Sequence, residues 1–264
     1  MRRPPDALPP LMRRSPNTVL ITGGASGIGL ALATRLVQSG NVVIACGRDQ
    51  GRLDAARATC PGLRTIQADV ATDAGCRSLV ACVTQDFPKL DILVNNAGLL
   101  HLNDLRGATL TRELEAEFAV NLLAPVALAN LLLPTLLRQP EAAIVNVTTG
   151  YVFLPSARAA TYSATKAGLH AMTQALRFDL RGTRVRVIEV MPPAVDTAMA
   201  RHYGGAKLAP AQVADRIVRA LQRGDEEVVI GVSRLGRLLA RVAPATGFGL
   251  MNRSEAKAAR PGQP

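Results

Sequence analysis

The chain carries a phenol and an ammonium four residues apart, Tyr162 and Lys166, within Thr161-Tyr162-Ser163-Ala164-Thr165-Lys166. Positions i and i+4 of a helix share a face, so the cation would stand beside the phenol. An ordinary tyrosine titrates near about 10. A neighbouring positive charge favours the phenolate and brings proton exchange toward neutral pH. Such a pair can act as general acid and base. The spacing is common by chance, and its weight depends on what stands upstream. There a glycine-rich turn, Thr22-Gly23-Gly24-Ala25-Ser26-Gly27-Ile28-Gly29, follows an apolar run and opens a helical pattern.

The elements that must position these residues are legible as alternating periodicities. Strand candidates are 18–21, 41–46, 63–67, 90–94, 142–147, 184–190 and 227–230, with helical patterns at 27–39, 50–59, 72–86, 110–137, 157–180 and 210–222. Regular β-α alternation predicts an α/β fold, a single doubly wound Rossmann-like parallel sheet with helices on both faces. Ligands of such sheets bind at the carboxyl ends of the strands, where strand order reverses. Residues 17–231 make this domain, between a basic leader at 1–16 expected to be disordered, with Met12 as a second possible start, and a basic amphipathic segment at 232–253. A disordered tail is expected at 254–264.

The glycine turn lies where a dinucleotide would place its phosphates. Gly23 permits the tight turn, Gly27 lets backbone approach a pyrophosphate, and Gly29 allows close helix packing. The spacing is TGxxxGxG and not the more familiar GxGxxG. Near the end of the second strand an acidic side chain would bind a ribose 2′-OH, and an Arg a 2′-phosphate. Cys46 occupies the acidic place and Arg48 follows, so NADP(H) is favoured over NAD(H). Asp69-Val70 after the third strand would sit near the adenine, although Asp69 could equally cap a helix. Asn95-Asn96-Ala97-Gly98 after the fourth strand would complete a floor for the cofactor.

Taken in order, these residues resemble the short-chain dehydrogenase/reductase family over about residues 17–231. The matching motifs are 22–29, Asp69, 95–98, Asn121, 146–149, Tyr162 with Lys166, and Pro192 through Thr197. The resemblance implies a cofactor site made by Thr22, Gly23, Ser26, Gly27, Ile28, Gly29, Arg48, Asp69, Val70, Asn95, Ala97, Gly98, Tyr162, Lys166, Pro192, Val195 and Thr197. It also implies a catalytic tetrad. Tyr162 is the general acid/base, Lys166 lowers its pKa and holds the nicotinamide ribose, and Asn121 holds a water in a proton relay. Where the family has serine, thirteen residues before the tyrosine, this chain has Thr149, whose hydroxyl can donate the same hydrogen bond. Pro193 replaces a common glycine. The Pro-Pro-Ala-Val-Asp-Thr run resembles a subgroup related to an oxidoreductase of the D-alanyl-teichoic acid operon. An oxidoreductase acting on a small-molecule carbonyl or alcohol is expected, and a non-catalytic NAD(P)(H)-binding regulator is the alternative. Relatives commonly pair the apolar helix across a two-fold, so a homodimer or homotetramer is expected.

Composition bounds what else the chain can be. Its 264 residues are 48% apolar but only 3% aromatic, which suits a parallel sheet of aliphatic residues covered by helices. Cys46, Cys60, Cys76 and Cys82 show no paired spacing and read as small core hydrophobes of a cytoplasmic protein. The net charge of +11 is carried largely by the ends, +3 in residues 1–16 and +5 in residues 231–264, leaving +3 between them. Nucleic-acid binding would want a basic face with stacking aromatics, and neither is evident. The apolar stretch 122–137 is interrupted by Pro125, Asn130 and Pro134 and reads as a buried helix, not a membrane span. His101 and His202 have no carboxylate or cysteine partner at ligand spacing, so no metal site is expected. His170 reads as a helix-surface or interface residue, Arg158 as a loop cation, and 196–210 as a lid. In the C-terminal segment Arg234, Arg237 and Arg241 alternate with leucines. That pattern allows weak docking on anionic lipid or simple packing against the body.

Overall fold

The first apolar run becomes strand β1 (Thr18–Thr22), in which Val19 and Ile21 enter one core and Leu20 the other. That alternation is what a strand covered on both faces requires. The computed structural model describes residues 16–103, 105 and 110–258. The basic leader therefore lies outside the described residues, apart from Pro16. The remaining strands are β2 (Val42–Gly47), β3 (Arg64–Gln67), β4 (Ile92–Asn95), β5 (Ala142–Val147), β6 (Val185–Met191) and β7 (Glu227–Val229). All pair in parallel in the order β3-β2-β1-β4-β5-β6-β7. This is the doubly wound order, and the reversal lies between β1 and β4.

Helices α1 (Gly27–Gln38), α2 (Gln50–Thr59) and α3 (Asp73–Asp86) follow the first three strands. Leu32 and Leu36 of α1 pack with Val213 and Ile217 of α7 (Pro210–Arg223) on one face of the sheet. Leu79 and Val83 of α3 pack with Leu128 and Leu132 on the other. Cys46, Cys60 and Cys76 lie within these cores, whereas Cys82 is only partly covered. Burial pushes the Cys46 thiol up to about 12, as expected of a core hydrophobe.

The stretch expected as one helix, 110–137, is three pieces: α4 (Leu110–Phe118), a π-helix (Ala119–Leu123) and α5 (Ala124–Leu137). Pro125 has no N–H to give the carbonyl four residues back, that of Asn121, and the helix widens there. By length and apolarity Thr111–Leu137 could cross a membrane. Leu128, Leu132 and Leu136 are nevertheless buried against the sheet, as in a core helix. Helix α6 (Ala160–Asp179) carries Tyr162 and Lys166. After β7 the chain forms two helices, α8 (Ser233–Val242) and α9 (Pro244–Ala258). Helix α9 thus runs into the stretch expected as a disordered tail, whose remainder lies outside the described residues.

Candidate active site

The switch point of the sheet opens into a cavity of about 630 Å³. Its lining brings together Gly23, Ser26, Gly27 and Ile28 from the glycine turn, Ala97 and Gly98 after β4, Thr149, Tyr162, Lys166, and Pro192, Val195 and Thr197 after β6. These come from five separate stretches of chain, gathered because parallel strands all end at the same edge.

At the turn, Gly23 has φ +63° and Gly27 φ +52°, backbone that an L side chain rarely adopts. A Cβ on Gly29 would stand 2.4 Å from the Gly23 carbonyl oxygen and 2.6 Å from Asn96 Nδ2. The turn is held by its neighbours. Thr22 Oγ1 accepts from the backbone N–H of Asn96 and Ala97, both at 3.0 Å. Asn96 Nδ2 donates to the Thr22 carbonyl at 2.9 Å. Asn96, not singled out from the sequence, is thus the side chain that faces the turn. Asn95 is turned away: its Nδ2 donates to Asn146 Oδ1 at 2.8 Å inside the sheet. Its side chain therefore ties β4 to β5 and is not directed at a cofactor.

Farther out along the strand ends, Arg48 is exposed and has no ion-pair partner among the described residues. Asp49 beside it caps α2 and pairs with Arg52 at 3.3 Å, so its charge is directed away from Arg48. Asp69 makes a tight turn by accepting from the Ala71 N–H at 3.0 Å. The cap of α3 is Thr72, and Val70 is buried beside it.

At the chemical end, Tyr162 and Lys166 are both buried, Lys166 with only 3% exposure. Lys166 Nζ donates to the Val147 carbonyl at 2.8 Å and stands 5.9 Å from the Tyr162 ring centre. Thr149 lines the cavity together with the phenol, and Tyr151 meets the ring edge-on at 6.3 Å. Burial pushes the phenol well above its ordinary range, and the Thr149 side chain pulls it back only in part. Glu117 raises it further, and burial is the largest cause. Burial likewise lowers the Lys166 ammonium to about 8, against the pull of Glu189 and Glu117.

Asn121 sits on the π-helix and uses its whole amide. Its Oδ1 accepts from the Leu99 N–H at 2.8 Å, while Nδ2 donates to the Leu99 carbonyl at 2.9 Å and to Thr165 Oγ1 at 3.1 Å. A Cβ on Gly98 would lie 3.4 Å from Asn121 Oδ1 and 3.9 Å from Lys166 Nζ. The amide therefore stands behind the cavity wall near the ammonium, without lining the cavity.

Two buried carboxylates were not legible from spacing. Glu117, one turn before Asn121, accepts from the His101 backbone N–H at 2.5 Å, His101 Nδ1 at 3.1 Å and Thr161 Oγ1 at 2.5 Å. His101 thus has a carboxylate partner after all. No group of three potential metal ligands gathers among the described residues. Glu189, an acid inside the apolar strand β6, accepts from Thr148 Oγ1 at 2.7 Å and from His170 Nδ1 at 2.9 Å. That bond raises the His170 pKa, so the surface reading of His170 is corrected: it is half-buried and paired. Within the expected lid 196–210, Met199, His202 and Tyr203 line the cavity, and Arg158 does so from the loop before α6.

A family model described as short chain dehydrogenase matches residues 17–207. The chain belongs to the short-chain dehydrogenase family. This short-chain dehydrogenase is 46% identical over 189 residues to the uncharacterized oxidoreductase DltE of Bacillus subtilis strain 168, covering 71% of this chain and 75% of that protein. It is 33% identical over 207 residues to an uncharacterized oxidoreductase of Staphylococcus epidermidis, covering 76% and 89%. Among solved structures, a short chain dehydrogenase from Burkholderia cenocepacia J2315 in complex with NADP is 26% identical with a TM-score of 0.77, covering 93% of this chain and 98% of that one. The expected fold and the likeness to the teichoic-acid-operon oxidoreductase are both borne out.

Proposed function

We propose that the chain is an NADP(H)-dependent oxidoreductase that interconverts an alcohol and a carbonyl compound, with Tyr162 exchanging the proton. The observation that carries the reading is the convergence of Tyr162, Lys166, Thr149 and the glycine turn on one cavity. The turn fits a dinucleotide, since Gly23, Gly27 and Gly29 leave free a cradle that a Cβ would strain or fill. A bound nicotinamide cofactor supplies or takes up the hydride. Ser26, Gly27 and Ile28 offer N–H groups to its phosphates at the start of α1, and Thr22 and Gly29 shape the turn. Asp69 and Val70 face the adenine, Ala97 and Gly98 form the floor, and Pro192, Val195 and Thr197 form the opposite wall. Asn95 contributes by joining β4 to β5.

For the 2′-phosphate, the neutral, buried Cys46 offers no carboxylate to the ribose, and Arg48, with no ion-pair partner among the described residues, supplies a cation. The NADP complex of the Burkholderia relative supports the same choice. Tyr162 gives its proton to the carbonyl oxygen in reduction and takes it back in oxidation. Thr149 holds that oxygen, Lys166 anchors the ribose, and Asn121 fixes the Leu99 backbone. Four free cysteines support a reducing, cytoplasmic location.

Tyr162→Phe tests the reading directly. Turnover should fall by orders of magnitude while NADPH binding, followed by fluorescence, persists. In the same titration Arg48→Ala should weaken NADPH far more than NADH. Unchanged turnover in the phenylalanine variant would refute the assignment.

A further inference from the structure

Helix α8 begins at the chemical end of the cavity. Its first residue, Ser233, presses on Gly150, where an added Cβ would stand 2.4 Å from Ser233 Oγ, and Gly150 follows Thr149. From there Leu235 and Leu239 line the cavity, and α9 returns with Leu250 and Met251, facing Leu154 and Leu102. Gly247 lets the two helices close, since a Cβ there would meet both Leu154 Cδ2 and Leu239 Cβ at 3.1 Å. Asn252 fastens α9 by donating to the Pro155 carbonyl at 3.1 Å and accepting from the Ala157 N–H at 2.6 Å. Two wall residues are nevertheless poorly covered: Leu235 and Leu250 are 58% and 61% exposed. They share one cavity with Tyr162, so apolar surface on a bound molecule can cover them. Among the described residues the lining carries Arg158 and Lys166 and no carboxylate, so these offer a cationic substrate no partner.

We propose, resting on the oxidoreductase reading above, that the substrate is a neutral or acidic amphiphile whose long apolar chain lies between the α8–α9 hairpin and the Leu102–Leu154 wall. In the reducing direction its carbonyl carbon gains a hydride from NADPH, the C=O π bond breaks, and the oxygen takes the Tyr162 proton. From Ser233 to Leu239 the helix rises about 9 Å, room for roughly eight extended chain atoms beyond the reacting carbon.

The test is a series of unbranched methyl ketones, from butanone to tridecanone, reduced with NADPH by the full chain. The value of kcat/KM should rise about fourfold per added methylene, then level once the chain outgrows the sleeve. In Leu235→Gln/Leu250→Gln, both substitutions at exposed positions, the loss should grow with chain length. A fluorescent polyene fatty acid gives a readout without turnover: it should bind, and long but not short alcohols should displace it. Ketone turnover indifferent to chain length would overturn the sleeve and leave the oxidoreductase reading intact, whether or not anionic vesicles bind the hairpin. If the cofactor binds but no ketone turns over with NADPH and no alcohol with NADP+, the oxidoreductase reading fails instead. The displacement assay then decides the sleeve alone, and absence of displacement overturns it.

Discussion

Thr149 is the residue at which this chain departs from its family's serine, and its geometry says what the departure does. Thr149 lines the cavity with the Tyr162 phenol, and its hydroxyl accepts from the Tyr151 N–H at 3.4 Å, so the added methyl has not removed the donor. Thr149→Ser should keep the activity, whereas Thr149→Val should lose about 100-fold in kcat, the scale of one transition-state hydrogen bond. Steady-state kinetics of the two variants side by side will show it. His170 makes a second prediction. Its bond to Glu189 raises its pKa above the ordinary value, with burial opposing. The folded chain therefore holds that proton more tightly than the unfolded one. The stabilisation is full below about pH 6.5 and is lost as pH rises through the folded value. The melting-temperature gap between the native chain and His170→Gln should accordingly narrow from about pH 6 to pH 8. A gap that widens with pH would contradict the pairing.

At the scale of elements, the tight joint between the first turn and α1 is the least tolerant point. Alanine is ordinarily worth up to about 1 kcal/mol over glycine within a helix. At Gly29 the new Cβ would fall 2.4 Å from the Gly23 carbonyl oxygen and 2.6 Å from Asn96 Nδ2, both held by the β1–β4 contact. Overpacking of this kind costs about 1–3 kcal/mol, so the clash wins. Gly29→Ala should be destabilised in urea titration and should bind NADPH more weakly. The strands and most helices were legible in the sequence because each is written in local periodicity, and the motifs after β1 and β4 inherit their place from them. What was not legible depends on partners distant in the chain. Nothing in the spacing of Glu117 or Glu189 announces His101 or His170, and nothing near Asn95 says that it turns toward Asn146. The break at Asn121 had a local cause in Pro125, a residue weighed only as an interruption of an apolar stretch. The hairpin's amphipathic pattern was readable, but not the cavity it covers.

For the molecule as a whole, the π-helix, α5 and α6 leave Leu123, Leu137, Met172 and Phe178 exposed, apolar surface that a partner copy could cover. A homodimer or homotetramer is the expected state, and light scattering at micromolar concentration should find it. Leu123→Glu with Met172→Glu should shift it toward monomer. A monomeric native chain would defeat the expectation.

The strand order carries a consequence for how the chain comes to be. Thr22 and Asn96, whose bonds hold the glycine turn, are 74 residues apart, and the outer strands β2 and β3 are made before β4. On a ribosome, β1, β2 and β3 can associate first, but the phosphate cradle does not exist until β4 arrives beside β1. Such long-range pairing folds slowly. A cofactor that recognises only the finished cradle adds stability by mass action but has nothing to bind while the sheet is still nucleating. Nucleotide added during refolding should therefore raise the yield of folded protein and leave the rate of its formation unchanged.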